Sequence, residues 1–194
     1  MRKLLQFLFI LVLGGFCCAC VNSFAVHELN EKAFKLMEEG NYPAAIARYE
    51  ASVDLDGEVY ESRYNLASAL HIAHRCPEAI PHAQAAVKLR PKEPIAYHVL
   101  GTVATCAADD GVLTKKENRI DVPIKFDSDI KRQHAIKQYV EYLNIANAAY
   151  EQYLNLVPNS EDASQVFDMV NINKEKIKKA TQEPPKKPVK VYNY

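Results

Sequence analysis

The sequence predicts an all-α fold built from a repeated pair of helices. Two helical patterns meet at a tight turn, and the small residue behind that turn recurs 34 residues later, from Ala45 to Ala79. The preceding helix repeats its own small residue at the same interval, from Ala33 to Ala67 to Gly101. Recurrence at one fixed interval favours a repeat protein over a generic helical bundle, the alternative reading of such a pattern.

The ends of the repeats carry their own signals. Leu89–Pro91 and Leu156–Pro158 each end a helix with a proline, and Tyr97-x-x-Leu100-Gly101 opens the third copy. These motifs resemble the tetratricopeptide-repeat (TPR) family, whose unit is a pair of antiparallel helices. The resemblance implies a TPR solenoid of about three helix-turn-helix repeats. The domain then covers 26–180, with repeats at 26–59, 60–93 and 94–158.

The third repeat is longer than the other two. From 94 to 158 it has 65 residues where 34 are expected, an excess of 31, and the insertion is placed at about 108–128. Alternating apolar residues in the insertion predict a short strand or an ordered loop. Asp127 or Ser128 can cap a second helix that begins near 129 and has about 28 residues. Insertions often carry the specificity of a repeat array, although this one could also pack on its own helix.

A final helix is predicted at 160–180, where it caps the array. Val166, Phe167 and Val170 form its apolar face, and lysines near its end suit the negative pole of the helix. Residues 181–194 are rich in Pro and Lys, which predicts a disordered tail.

The N-terminus, residues 1–25, has the layout of a secretory signal peptide. Arg2 opens a positive segment, Leu4–Phe16 is apolar, and a small-residue cleavage site ends at Ala25. Two alternatives stay open: a lipoprotein acylated at Cys20, or an uncleaved anchor that tethers the chain to a membrane. All three predict an exported protein of the bacterial periplasm or outer membrane.

Cysteine and histidine side chains near the turns raise the options of a disulfide and of a metal site. Cys76 and Cys106 are the only cysteines of the predicted domain. In the repeat alignment both lie on the same edge of the array, which allows a disulfide between them; two buried free thiols are the alternative, and the sequence does not decide between the two. His71 and His74 lie one helical turn apart, but no second ligand pair has fitting spacing, so we predict no metal site.

The TPR resemblance implies a concave groove lined by the first helices of successive repeats. Some members of the family clamp the terminal carboxylate of a peptide with Lys, Arg and Asn, and the basic members of that set are missing here. A neutral groove suits an extended segment or a helix with apolar side chains, although packing between helices could explain each residue singly. The groove positions carried over are Asn30, Phe34, Met37, Tyr64, Asn65, Ser68, His71, His98 and Thr102.

Charge and motifs argue against nucleic-acid binding and catalysis. The 24 basic residues balance 24 acidic ones, so the chain has no uniformly basic surface for nucleic acid. Within 26–180 no G-x-S-x-G, H-E-x-x-H or C-x-x-C motif is present, and six Gly in the whole chain leave little material for a phosphate-binding loop. We therefore predict neither an enzyme nor a cofactor.

The resemblance predicts a protein-interaction adaptor or assembly factor of the cell envelope, whose partner is another protein or a peptide segment. Fold-level analogy supports this prediction and does not name the partner. Two alternatives stay open: a periplasmic accessory protein that binds a ligand or a metal, and a structural protein that oligomerises along the open repeat edge.

Overall fold

A computed structural model describes residues 22–110, 114–117, 120–123 and 125–182 of the chain. The N-terminal segment up to residue 21, with Cys20, and the tail from 183 lie outside the described residues. None of the described helices combines the length and the apolar character that crossing a bilayer requires. The elements are α1 (22–38), α2 (Tyr42–Leu55), α3 (Tyr60–Ile72), α4 (Cys76–Leu89), α5 (Pro94–Asp109), β1 (Thr114–Glu117), β2 (Ile120–Pro123), α6 (Asp129–Leu156) and α7 (Ala163–Gln182).

The predicted all-α class is confirmed, and the chain divides into two compact units. The first unit ends at Val99 and the second begins at Leu100, so the boundary lies inside α5. In the first unit α3 packs against both α2 and α4. Its four repeat-spaced alanines are fully buried, as expected where helix backbones approach closely. They are Ala33, Ala45, Ala67 and Ala79.

Helices α1 and α3 end in the same type of turn, 34 residues apart. Gly40 follows α1 with a φ of 74°, and His74 follows α3 with a φ of 57°. In each turn the next amide, of Asn41 or of Arg75, donates a hydrogen bond of 2.8 Å to a carbonyl of the last helical turn. This arrangement satisfies carbonyls at the helix end and requires a left-handed residue, which glycine provides without strain.

Because His74 is the left-handed residue that carries a β-carbon, we expect His74→Gly to raise the free energy of unfolding by about 0.5–1 kcal/mol. The side chain is exposed, so little packing is lost. Gly40→Ala is the matched control and should lower the free energy of unfolding by a similar amount. A β-carbon at Gly40 meets no atom within 4 Å, so the backbone alone would respond. Urea denaturation measures both variants, and a destabilised His74→Gly chain would contradict the prediction.

The junction between the first two repeats is polar, whereas the next junction is apolar. The hydroxyls of Ser52 and Ser62 are hydrogen-bonded at 2.8 Å, and Asn30 Nδ2 donates to Ser62 Oγ at 2.9 Å. Asn30 Oδ1 is buried without a hydrogen-bond partner among the described residues. The residues 34 positions further on pack together in one apolar cluster: Tyr64, Ala86 and Ala96. The same three repeat positions therefore meet at both junctions, through polar side chains at the first and through apolar side chains at the second.

The second unit is organised around Tyr150 of α6. This side chain is 1% exposed, and its ring lies against Gly101 of α5, where an added β-carbon would stand 2.4 Å from a ring carbon. Helix α7 packs on α6. From α7, the buried Asn173 donates through Nδ2 to Thr105 Oγ1 of α5 at 3.4 Å. Within this unit α7 therefore covers both α5 and α6.

The insertion contains a β-hairpin followed by the long helix α6. Strands β1 and β2 pair antiparallel, with Lys116 opposite Asp121. Helix α6 has 28 residues and begins at Asp129, where Ser128 Oγ accepts a hydrogen bond of 3.3 Å from the amide of Lys131. Of the two alternatives left open for the insertion, a short strand or an ordered loop, the structure has strands, two of them paired, and α6 begins at the predicted residue 129.

The prediction for α7 differs from the structure in two respects. The helix begins at Ala163 rather than at 160, and Phe167 does not lie on its buried face. Val166 and Val170 are buried, whereas Phe167 is 57% exposed. Because each residue turns the helix by about 100°, the side chain of Phe167 points about 100° away from that of Val166. Asn173 occupies the buried position instead.

Candidate functional site

The first helices of the repeats carry a stripe of side chains that follows the 34-residue spacing. Because a helix turns about 100° per residue, residues three, four, seven and eleven apart share one face. The stripe begins on α1, continues at the equivalent positions of α3, and reaches the start of α5. We call it the first-helix face, and its members are His27, Glu31, Phe34, Glu38, Glu61, Asn65, Ser68, Ile72, Ile95 and Val99.

Three large apolar side chains of the first-helix face are exposed. Phe34 is 54% exposed, Ile72 46% and Ile95 43%. Sequence reasoning identified Phe34 and missed the two isoleucines, because an apolar residue at a helix end is usually assigned to the core. The position of Ile72 around its helix was the available signal. Ser68 is the repeat equivalent of Phe34, and Ile72 lies one helical turn after Ser68, on the same side of α3. Exposed apolar side chains that share one face are typical of an interaction surface.

The other predicted groove residues are half-buried and take part in packing. Asn30 belongs to the hydrogen-bonded junction described above, and Tyr64 stacks on Tyr60 with ring centroids 5.7 Å apart. Ser68 donates its hydroxyl to the carbonyl of Tyr64 at 3.0 Å. Of the remaining predicted residues in the first unit, half-buried Asn65 belongs to the first-helix face, whereas half-buried Met37, His71 and His98 border it. Thr102 lies half-buried in the second unit.

The first-helix face is acidic. Glu31, Glu38 and Glu61 lie on it, and no Lys or Arg does. Glu61 is paired with Arg90, whereas Glu31 and Glu38 have no ion-pair partner among the described residues. The charge of Glu31 also acts on Tyr49: burial is the larger cause that raises the pKa of Tyr49, and Glu31 is the smaller one. The expectation of a neutral groove therefore holds for the predicted residues and not for the whole stripe.

A tyrosine pair supports α3 next to this face. The guanidinium of Arg90 lies 4.2 Å from the centroid of the Tyr60 ring, and Tyr64 stacks on the same ring. Burial raises the pKa of Tyr60 to about 12, and the Glu93 carboxylate adds to the shift. The hydroxyl has no hydrogen-bond partner among the described residues, so Tyr60 acts as a neutral packing surface that holds Tyr64 in place.

Arg63 and His82 connect α3 to α4 on the first unit. Arg63 donates through Nε to the carbonyl of Gly57 at 2.9 Å, and its Nη1 lies 3.1 Å from His82 Nδ1. A guanidinium can only donate, so Nδ1 must accept and the imidazole must be neutral. Burial and then the charge of Arg63 lower the pKa of His82.

We expect this pair to make the free energy of unfolding fall with pH below about 6.5, the ordinary histidine pKa. Below that pH the histidine of the unfolded chain binds a proton, whereas His82 in the folded chain stays neutral. The Arg63–His82 pair therefore stabilises the folded chain fully above about pH 6.5, and this stabilisation is lost as the pH falls. Urea midpoints between neutral and mildly acidic pH measure the slope. His82→Leu should flatten it and the exposed-site control His27→Gln should not; equal slopes in all three chains would contradict the prediction.

Cys76 and Cys106 are both disulfide-bonded. A disulfide sulfur is not a thiolate, so Cys76 in this state does not join His71 as a metal ligand. That the two cysteines bond to each other stays a prediction from the repeat alignment. Peptide mapping without reductant would then recover two peptides joined by a disulfide, one with Cys76 and the other with Cys106.

No protein-family model matches the sequence, and no curated protein matches it either. Among solved structures, the chain is similar to TPR domains. The first TPR domain of Spaghetti (RPAP3), bound to the HSP90 peptide SRMEEVD, is 21% identical with a TM-score of 0.54, over 80% of this chain and 95% of that chain.

Two further TPR domains have similar structures. The Sgt2 domain from Aspergillus fumigatus is 20% identical with a TM-score of 0.54, over 87% of this chain and 90% of that chain. The TPR2B domain of yeast Sti1, in a complex with pHsp70, is 16% identical with a TM-score of 0.51, over 79% of this chain and 98% of that chain. Identities at this level show a shared fold alone.

Proposed function

Because the chain has the TPR fold, we propose that it is a protein-interaction adaptor that binds a segment of a partner protein on the first-helix face. The observation that carries the proposal is the exposure of Phe34, Ile72 and Ile95 on that face. Apolar side chains on successive helices offer successive contacts to an extended segment or to an amphipathic helix. We propose no catalytic step.

Two of the similar structures support a peptide as the kind of ligand. The Spaghetti domain is bound to the peptide SRMEEVD, and the Sti1 domain is in a complex with pHsp70. Capture of a terminal carboxylate relies on charged donors such as Lys or Arg, and the first-helix face has neither. We therefore propose that apolar contacts, rather than a carboxylate clamp, supply most of the binding energy here.

We place this adaptor in the bacterial cell envelope, in the periplasm or at the outer membrane, as an assembly factor. The support is the N-terminal sequence, in which a positive start precedes the apolar stretch Leu4–Phe16. Intact-mass measurement of the protein from an envelope fraction tests the placement. Cleavage after Ala25, acylation at Cys20 and a retained anchor give three different masses, and recovery from the cytoplasm alone would contradict export.

The double variant Phe34→Ala/Ile72→Ala is expected to weaken partner binding by about ten- to hundredfold, the effect of removing two apolar contacts from an interface. Each side chain is about half exposed, so losing its buried half should lower the free energy of unfolding by about 1 kcal/mol. Capture of partners from an envelope extract on immobilised full-length chain measures the binding, and urea denaturation measures the stability.

Phe167→Ala is the matched control, because Phe167 is equally exposed but lies on α7 of the second unit. It should capture the same partners as the wild-type chain. If the double variant also retains all partners at the wild-type yield, the first-helix face is not the binding site and the proposal fails.

A further inference from the structure

The arrangement of charge on α1 narrows the chemistry of the segment that can bind. Glu31 and Glu38 flank Phe34 by three and four residues, so the two carboxylates lie one helical turn on either side of the exposed ring. Elsewhere on the same helix, Glu28 is paired with Lys32 at 2.6 Å. That pair lies about a third to a half of a turn around α1 from Phe34. Glu31 and Glu38 have no ion-pair partner among the described residues, although the exposed Lys35 lies within one helical turn of both, so two carboxylates and one ammonium group surround the ring.

On the strength of the proposed function, we propose that the partner segment is basic and amphipathic, with an apolar side chain on Phe34 and Lys or Arg side chains on Glu31 and Glu38. The argument is charge complementarity. A segment that desolvates Phe34 also approaches both carboxylates, and Lys or Arg side chains give the strongest attraction there, whereas acidic side chains are repelled. Glu61 adds a third carboxylate on α3, already balanced by Arg90.

The same geometry disfavours an acidic segment. The face carries no Lys or Arg to receive carboxylates, so a peptide with the composition of SRMEEVD would bring three acidic side chains and a terminal carboxylate, against one Arg, toward Glu31 and Glu38. Like charges at contact distance oppose binding, and salt screens that repulsion only in part. The two peptide classes should therefore differ in affinity and also in the sign of their salt dependence.

Three synthetic peptides of equal length test the inference on the full-length chain by fluorescence anisotropy at low and high salt. The first alternates Lys and Leu, the second replaces each Lys by Glu, and the third replaces each Leu by Ser. We expect the Lys/Leu peptide to bind best. Its affinity should fall by about tenfold in Glu31→Gln/Glu38→Gln and by a similar factor in Phe34→Ala. Glu161→Gln/Asp168→Asn, with two exposed acidic residues of the second unit, is the charge-matched control and should bind like the wild type.

The outcomes separate this inference from the proposed function. If the Glu/Leu peptide binds as tightly and depends on Phe34, the basic chemistry is wrong and the adaptor survives. If both acidic-pair variants weaken the Lys/Leu peptide equally, the attraction is a general effect of net charge and the inference fails. If light scattering shows a dimer that Phe34→Ala dissociates, a second copy of the chain is the occupant and the inference is also overturned. If no peptide binds and Phe34→Ala/Ile72→Ala captures partners like the wild type, the proposed function itself fails.

Discussion

Replacing Gly101 by alanine is expected to lower the free energy of unfolding of the second unit by about 3 kcal/mol, as overpacking of a closed core does. The added β-carbon would lie 2.4 Å and 2.5 Å from two ring carbons of Tyr150. That ring is 1% exposed and cannot swing into solvent. In an unobstructed helix the same change would stabilise the chain by about 0.5–1 kcal/mol, so the sign of the effect is diagnostic.

A double-mutant cycle identifies Tyr150 as the cause. Tyr150→Leu alone should destabilise the chain, because it leaves a cavity in the core. In that background, Gly101→Ala should lose most of its effect, because the clashing ring carbons are gone. Urea denaturation of the four chains gives the coupling free energy, expected to be about 2 kcal/mol or more. An unchanged penalty for Gly101→Ala in the leucine background would contradict the contact.

Ser62→Ala is expected to lower the free energy of unfolding by about 1–3 kcal/mol, the effect of leaving buried polar groups unpaired. The Ser62 hydroxyl is the shared partner of Ser52 Oγ and Asn30 Nδ2. Ser52 and Ser62 are both fully buried, so water cannot readily replace the missing hydroxyl. Thermal or urea denaturation of the full-length chain measures the loss.

The second junction shows which residues should restore the stability that Ser62→Ala loses. Asn30→Tyr/Ser52→Ala/Ser62→Ala gives the first junction the residues that the second junction already has at Tyr64 and its two alanine neighbours. Removing all partners of a polar network together is far less harmful than removing one. We expect the triple variant to recover at least the stability that Ser62→Ala loses. A triple variant less stable than Ser62→Ala would mean that the two junctions are not equivalent.

Much of the fold could be predicted because small residues at crossings and turns leave a regular trace in the sequence. The burial of Ala33, Ala45, Ala67 and Ala79 follows from their spacing alone, since a larger residue would push the helices apart. The start of α6 follows from local chemistry, because Ser128 can cap it whatever lies nearby. Phe167 shows the limit of this reasoning. Local sequence determines where a helix begins and ends, whereas the side that it buries depends on the helices packed against it.

The exposure of the first-helix face was only partly predictable for the same physical reason. Phe34 could be identified through its groove position in the TPR resemblance, whereas its aromatic ring alone fitted packing between helices equally well. Asn30 and Tyr64 share a repeat position that borders both the face and the junction between repeats, and only packing decides how a side chain is divided between them. Ile72 and Ile95 lie at helix ends, where sequence does not tell whether the next helix covers them. Their exposure had to come from the structure.

Photo-crosslinking tests partner binding on the first-helix face most directly. A photoreactive phenylalanine derivative would replace Phe34, Ile72 or Phe167 in three otherwise identical full-length chains. We predict that the chains labelled at positions 34 and 72 crosslink to one and the same protein, and that the chain labelled at 167 does not. Crosslinking to that protein from position 167 alone, or equally from all three positions, would contradict a binding site on the first-helix face.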